Sequence, residues 1–109
     1  MTFADSQQRS RATAVYPGAG DNLLYPTLGL CGEAGEVAEK VKKMVRDDAG
    51  VLTPQRREAL AKELGDVLWY VAQVATEAQL DLSDIAGANL EKLLSRQERG
   101  VLQGSGDER

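Results

Sequence analysis

The apolar positions of this chain recur at helical intervals and nowhere alternate long enough to build a strand. Leu30, Ala34, Val37, Val41 and Met44 form one stripe, and Leu60, Leu64, Val67, Val71, Val74 and Ala78 form a second. The punctuation between them divides the chain. Thr2 can cap a short helix through about Ala14, with Asp5 near its positive end. That helix is thin in apolar residues and reads as an arm packed on something larger. Pro17-Gly18-Ala19-Gly20-Asp21-Asn22 has loop composition. A long helix follows from about Leu23 or Pro26 to Val45, ended by Asp47-Asp48-Ala49-Gly50. Thr53-Pro54, a cap and a first-turn proline, starts another that runs to about Ala78. Asp81-Leu82-Ser83-Asp84 reads as a turn and cap before a last helix, Asp84 to about Arg99, with Ile85, Ala88, Leu93 and Leu94 inward. Gly100 stops it, and Gln103 to Arg109 reads as a flexible tail. The expected fold class is all-α, one domain over residues 1–109 with an N-terminal arm and loop (1–22) and a C-terminal tail (100–109).

The two long helices carry the same pattern thirty residues apart, Leu-x-x-Glu-x-Gly-acid-Val-x-x-x-Val, at Leu30 to Val41 and at Leu60 to Val71. On a helical wheel Trp69 falls opposite the second stripe, with Gly65, Ala72 and Thr76. A helix that is apolar or small all round is covered on both sides. The pattern favours a second subunit over Trp69; the other reading is that the N-terminal arm covers it.

Composition narrows the chemistry. A chain of 109 residues buries a modest core, so self-association is expected. The net charge of −4 argues against a general nucleic-acid binder. It leaves a nucleotide substrate open, because bound cations invert the local sign. There is no histidine and a single cysteine, Cys31, which reads as a small core residue and permits no intrachain disulfide. Any metal site must then be oxygen-rich, favouring magnesium, manganese or calcium. No apolar run is long enough to span a membrane, and the N-terminus lacks the basic and apolar regions of a signal peptide. A cytoplasmic protein is expected.

Acidic pairs at i, i+3 occur four times: Glu33/Glu36, Glu36/Glu39, Glu63/Asp66 and Asp81/Asp84. Such spacing is common on solvated helices. Asp81/Asp84 is accounted for by helix-start preferences, and Glu39 lies away from its stripe. Glu33/Glu36 and Glu63/Asp66 differ, because both sit on the flank of an apolar stripe in the same rotational sense. In an antiparallel hairpin those flanks could meet over one cleft. Four converging carboxylates repel unless cations lie between them, and two Mg²⁺ ions would cancel their formal charge. Spacing alone leaves a metal site and a solvated acidic face both open. Lys40 and Lys43 follow Glu36 on its flank and suit either a phosphate or ordinary Glu–Lys pairing. Tyr70, one turn after Asp66, suits a base or sugar, or an interface. Asn89, Lys92 and Arg96 share a face of the last helix; they could read a polar ring and bind phosphate, or be solvated.

Glu33-Ala34-Gly35-Glu36 followed by Glu63-Leu64-Gly65-Asp66 resembles the E-x-x-E…E-x-x-D signature of the MazG-like nucleotide pyrophosphohydrolases, within the all-α NTP pyrophosphatase superfamily. The resemblance spans roughly Tyr25 to Arg109. It includes Gly29-Leu30, the Val-Ala-Glu-Lys-Val-Lys-Lys run, Asn89 to Leu93, and the ending Arg99-Gly100-Val101…Gly104-Ser105-Gly106-Asp107. It implies a short helical bundle whose four-helix-like core is completed by dimerisation, as a dimer or dimer of dimers. It also implies hydrolysis of nucleoside triphosphates to monophosphate and pyrophosphate with Mg²⁺ or Mn²⁺. Carried over, the metal ligands are Glu33, Glu36, Glu63 and Asp66, with Glu33 also able to orient or deprotonate the attacking water. Tyr70 and Asn89 occupy nucleoside-contact positions, and Lys40, Lys43 or Lys92 would meet the pyrophosphate charge. Gly32 stands where some relatives have a further acid, which puts a three-metal arrangement in doubt. Two alternatives remain: a phosphoribosyl-ATP pyrophosphohydrolase of the same superfamily, and a non-enzymatic metal- or nucleotide-binding regulatory dimer.

Overall fold

Local capping sets every helix start. In the computed structural model, which describes residues 1–109, Thr2 Oγ1 accepts the Asp5 N–H at 3.0 Å and the Asp5 carboxylate accepts the Thr2 N–H at 3.2 Å. This reciprocal capping box opens α1 (Phe3–Ser10), which a 3-10 turn, Arg11–Thr13, prolongs. Asn22 Oδ1 accepts the Tyr25 N–H at 3.0 Å and caps α2 (Leu24–Asp47), whose own N-cap residue Leu23 offers no side-chain acceptor. Thr53 Oγ1 accepts the Arg56 N–H at 3.2 Å ahead of Pro54, opening α3 (Pro54–Glu77). Asp81 accepts from Ser83 and Asp84, so α4 (Leu82–Glu98) begins two residues before the expected Asp84. The chain turns between α2 and α3 through Ala49 and Gly50, both at positive φ.

The helices α2 and α3 are each 24 residues long, about 36 Å at 1.5 Å per residue. They form an antiparallel hairpin whose register is read from its pairs. Gly29 lies against Tyr70, Lys40 against Glu63, and Asp48 against Arg56. At Gly29 the Tyr70 ring occupies the space a Cβ would need, so only glycine lets the helices approach there. Leu30, Val37 and Met44 on α2 and Leu60, Val67 and Val71 on α3 are all half-buried. The tightest packing lies beyond them, where α1 and the arm cross the end of α3 and bury Ala72, Gln73 and Ala75.

Several expectations change on the folded chain. Trp69 is covered by the N-terminal arm: its indole N–H donates to Thr13 Oγ1 at 2.7 Å and the Tyr16 ring stands edge-on to it, centroids 6.4 Å apart. The rival reading of Trp69 therefore holds, because a connection of only ten residues, 14–23, returns Tyr16 to α3 before α2 begins. Cys31 is exposed rather than core, since the half-buried face is that of Leu30 and Val37. Leu64 and Ala34 are exposed as well, being on the edge of their stripes. The helix α4 packs chiefly on α1, and Ile85, Ala88, Leu93 and Leu94 lie open instead of inward. The tail folds back: the Arg96 guanidinium, only 4% exposed, donates to the Asp107 carbonyl at 2.6 Å, and Arg109 donates to the carbonyls of Val101, Leu102 and Gly106.

The radius of gyration is 16.8 Å, against about 13 Å for a compact chain of this length. Only 7 residues are buried. The single chain thus leaves apolar faces open on α3 and α4, at Leu64, Leu68, Ile85, Leu90 and Leu94.

Candidate active site

The hairpin register brings the acids together. Glu33 from α2 and Glu63 and Asp66 from α3 each offer a carboxylate oxygen, all within 4.8 Å of one another. Glu36, one turn after Glu33, is exposed and lies outside this triad. Three carboxyls face one ammonium: Lys40 Nζ stands 3.9 Å from Glu63 Oε1. That imbalance registers on Glu33, whose carboxyl is held above its ordinary value. Lost hydration is the largest cause, followed by the charge of Asp66, a hydrogen bond shared with Glu63, and the charges of Glu63 and Glu36.

Beside the triad is a cleft of about 360 Å³ lined by Thr13, Glu33, Asp66, Trp69 and Tyr70, within the range small-molecule sites occupy. Trp69 and Tyr70 meet edge to face, 5.0 Å between centroids. The Tyr70 hydroxyl is pushed up by burial, then by Tyr25, Glu33 and Asp66. Acids and aromatic surface thus line one cleft.

Tyr70 and Lys40 lie where the sequence put them, beside the acids. Lys43 acts electrostatically on Glu39 and Asp47 instead, along its own helix. Asn89 is exposed on α4. Lys92 and Arg96 are engaged by Asp107, at 3.5 and 3.6 Å. No hydrogen bond or ion pair joins these three α4 residues to the triad within the chain.

Sequence reasoning missed a second carboxylate centre. The Glu77 side chain is 1% exposed. It accepts from the Tyr16 hydroxyl, from Arg11 at 3.1 Å, and from the amides of Gly20 and Asn22 at 2.8 and 3.3 Å. These donors, the Tyr16 hydroxyl first and the Gly20 amide next, lower its pKa from 4.5 to about 2 against the opposing effect of burial. Gln73, fully buried, extends the network by accepting from Arg11 and donating to Ser10. Thr13 and Trp69 were missed as cleft residues too; the one available signal was Trp69 lying three positions after Asp66.

An all-helical protein with a carboxylate triad set across a helical hairpin is a candidate for cation-assisted phosphate chemistry. Residues 22–101 match the MazG nucleotide pyrophosphohydrolase domain, and the chain belongs to that family. It is 57% identical over 102 residues to the Gene 37 protein of Mycobacterium phage L5, covering 89% of this chain and 90% of that one. No solved structure matches the chain. No helix is long and apolar enough to cross a membrane.

Proposed function

We propose that the chain hydrolyses nucleoside triphosphates, deoxynucleoside or non-standard ones, to nucleoside monophosphate and pyrophosphate with Mg²⁺ or Mn²⁺. The observation that carries this is the triad of Glu33, Glu63 and Asp66 with a single cationic partner, in a chain of the MazG family. The donor set fits a hard divalent cation: the converging groups are all carboxylate oxygens, and Cys31 is not among them. Glu33, Glu63 and Asp66 would hold the cation, with Glu36 able to join from the next turn. When bound, it would supply positive charge to the phosphate oxygens and acidify an attacking water.

The chain's own groups then divide the work. Glu33 takes a proton from the water at a carboxylate oxygen as the water oxygen bonds to the α-phosphorus. The bond from that phosphorus to the bridging oxygen breaks, and pyrophosphate leaves with the electron pair. Lys40, held near Glu63, meets the phosphate charge. Tyr70 and Trp69 offer apolar surface to the base and sugar. Positioning and electrostatics carry the rate, with no covalent intermediate.

The test is a panel of common and non-standard nucleoside triphosphates in Mg²⁺, read as released pyrophosphate. Release from several of them is expected. Nucleotide binding with no release across the panel would support a binding module instead, and release from phosphoribosyl-ATP alone, run beside the panel, would support the phosphoribosyl-ATP pyrophosphohydrolase reading. We further propose that a second copy covers the open faces at Leu64, Leu68, Ile85, Leu90 and Leu94. A monomeric mass by light scattering at working concentration would exclude it.

A further inference from the structure

The family match begins at residue 22, yet one side chain of the triad cleft comes from before it. Thr13 lines that cleft with Glu33, Asp66, Trp69 and Tyr70. Its hydroxyl is committed in both directions, donating to the Ser10 carbonyl at 2.6 Å and accepting from the Trp69 indole at 2.7 Å. The segment around it is fastened at several points. Ser10 accepts from Gln73 at 2.9 Å, Arg11 and Tyr16 reach Glu77, and so do the amides of Gly20 and Asn22. Tyr16 also stacks on Tyr25, centroids 5.1 Å apart and planes within 10°.

From this geometry we propose that the N-terminal arm is a specificity strap added to the family domain: Thr13 fixes the Trp69 indole as one wall of the nucleoside subsite, and Glu77 is the positioning residue that holds the strap closed. The proposal rests on the nucleotide reading above. The phosphates meet the carboxylates, so the base or sugar falls to the aromatic residues that line the same cleft. An indole with its N–H tied to Thr13 cannot rotate to admit a different ring. A free one can. The strap therefore sets which nucleosides fit, and the acids set the chemistry.

Trp69 is the sole tryptophan, so its emission reports this wall alone. The test compares wild type, Thr13→Val, Thr13→Ser and Glu77→Gln, by KM and kcat on the four dNTPs and by Trp69 emission during nucleotide titration. Thr13→Val keeps the side-chain shape and removes the acceptor that fixes the indole N–H. The bond is exposed, so its loss should raise KM for the preferred nucleotide by up to about tenfold, the net worth of one hydrogen bond, and flatten the ranking among bases with kcat little changed. Thr13→Ser should restore both. Glu77→Gln should act in the same direction, and combining it with Thr13→Val should add little, because both free the same indole. KM values and base ranking in Thr13→Val indistinguishable from wild type would overturn the proposal, whatever Glu77→Gln does to folding. If wild type releases no pyrophosphate but nucleotides still perturb Trp69, the hydrolytic reading fails alone and the strap is judged by the affinity of Thr13→Val. Release without any Trp69 response to nucleotide overturns the strap and leaves the activity standing.

Discussion

Two carboxylate centres share α3, eleven residues apart, and they are opposites. At Glu77 one buried carboxylate is met by a hydroxyl, a guanidinium and two amides, and its pKa falls to about 2. At Glu33, Glu63 and Asp66 three carboxyls share one distant ammonium, and the pKa of Glu33 rises. The first centre is complete within the chain and serves the fold. The second has three carboxyls to one ammonium, and the proposal that a cation supplies the missing positive charge rests on that shortfall. A count of acidic residues would not separate the two; a count of their partners does.

The sharpest way to break the comparison is Glu63→Gln. Removing a carboxylate from the triad should lower kcat by about a thousandfold, equivalent to the several kcal/mol a bound cation contributes. Pyrophosphate release in saturating Mg²⁺ reads it. Gly29→Ala comes next. The new methyl would overlap the Tyr70 ring, costing about 1–3 kcal/mol of stability by overpacking. Displacing Tyr70 from the cleft should raise KM more than it lowers kcat, so steady-state kinetics beside thermal melts check both effects.

At the complete centre, Glu77→Gln should lower Tm at neutral pH. The Glu77 contribution is fully present above its ordinary value of 4.5 and is lost as pH falls through about 2. The gap between variant and wild type should therefore narrow in melts run from pH 4.5 downward. The smallest effect has the opposite sign. A raised pKa at Glu33 means its ionised form disfavours the metal-free fold, above that pKa but not below the ordinary 4.5. In EDTA at neutral pH, Glu33→Gln should raise Tm slightly. Mg²⁺ at 100 times its Kd should stabilise wild type by about 2.7 kcal/mol and the variant less. A variant that melts below wild type in EDTA would contradict the account of an uncompensated triad.

The helices, and three of the four acids expected to converge, were legible because their determinants are local or periodic; Glu36 stays outside the group. Thr53-Pro54 and Asp81 act within three residues, and the repeated motif places Glu33 and Glu63 on matching flanks of two helices that a short turn must pair. Glu77 was not legible. Its donors lie 55 to 66 residues earlier, in the 3-10 turn and the loop after it, whose path no spacing encodes, so it reads as one more solvated acid at a helix end. Trp69 failed for the same reason, since only the folded arm brings Thr13 to it. Arg96 read as a phosphate-binding cation because the tail that covers it carries a loop composition. Periodicity reports which face of a helix is apolar and is silent on which segment will cover it.

The exposed thiol of Cys31 has a practical consequence. It is the chain's sole cysteine and sits two residues before Glu33. A nitroxide attached there would need no other cysteine removed. Manganese is paramagnetic, so Mn²⁺ entering the carboxylate triad would broaden that label's spectrum within reach of the spin coupling. The molecule thus carries its own attachment point for counting bound ions and measuring their distance from the hairpin.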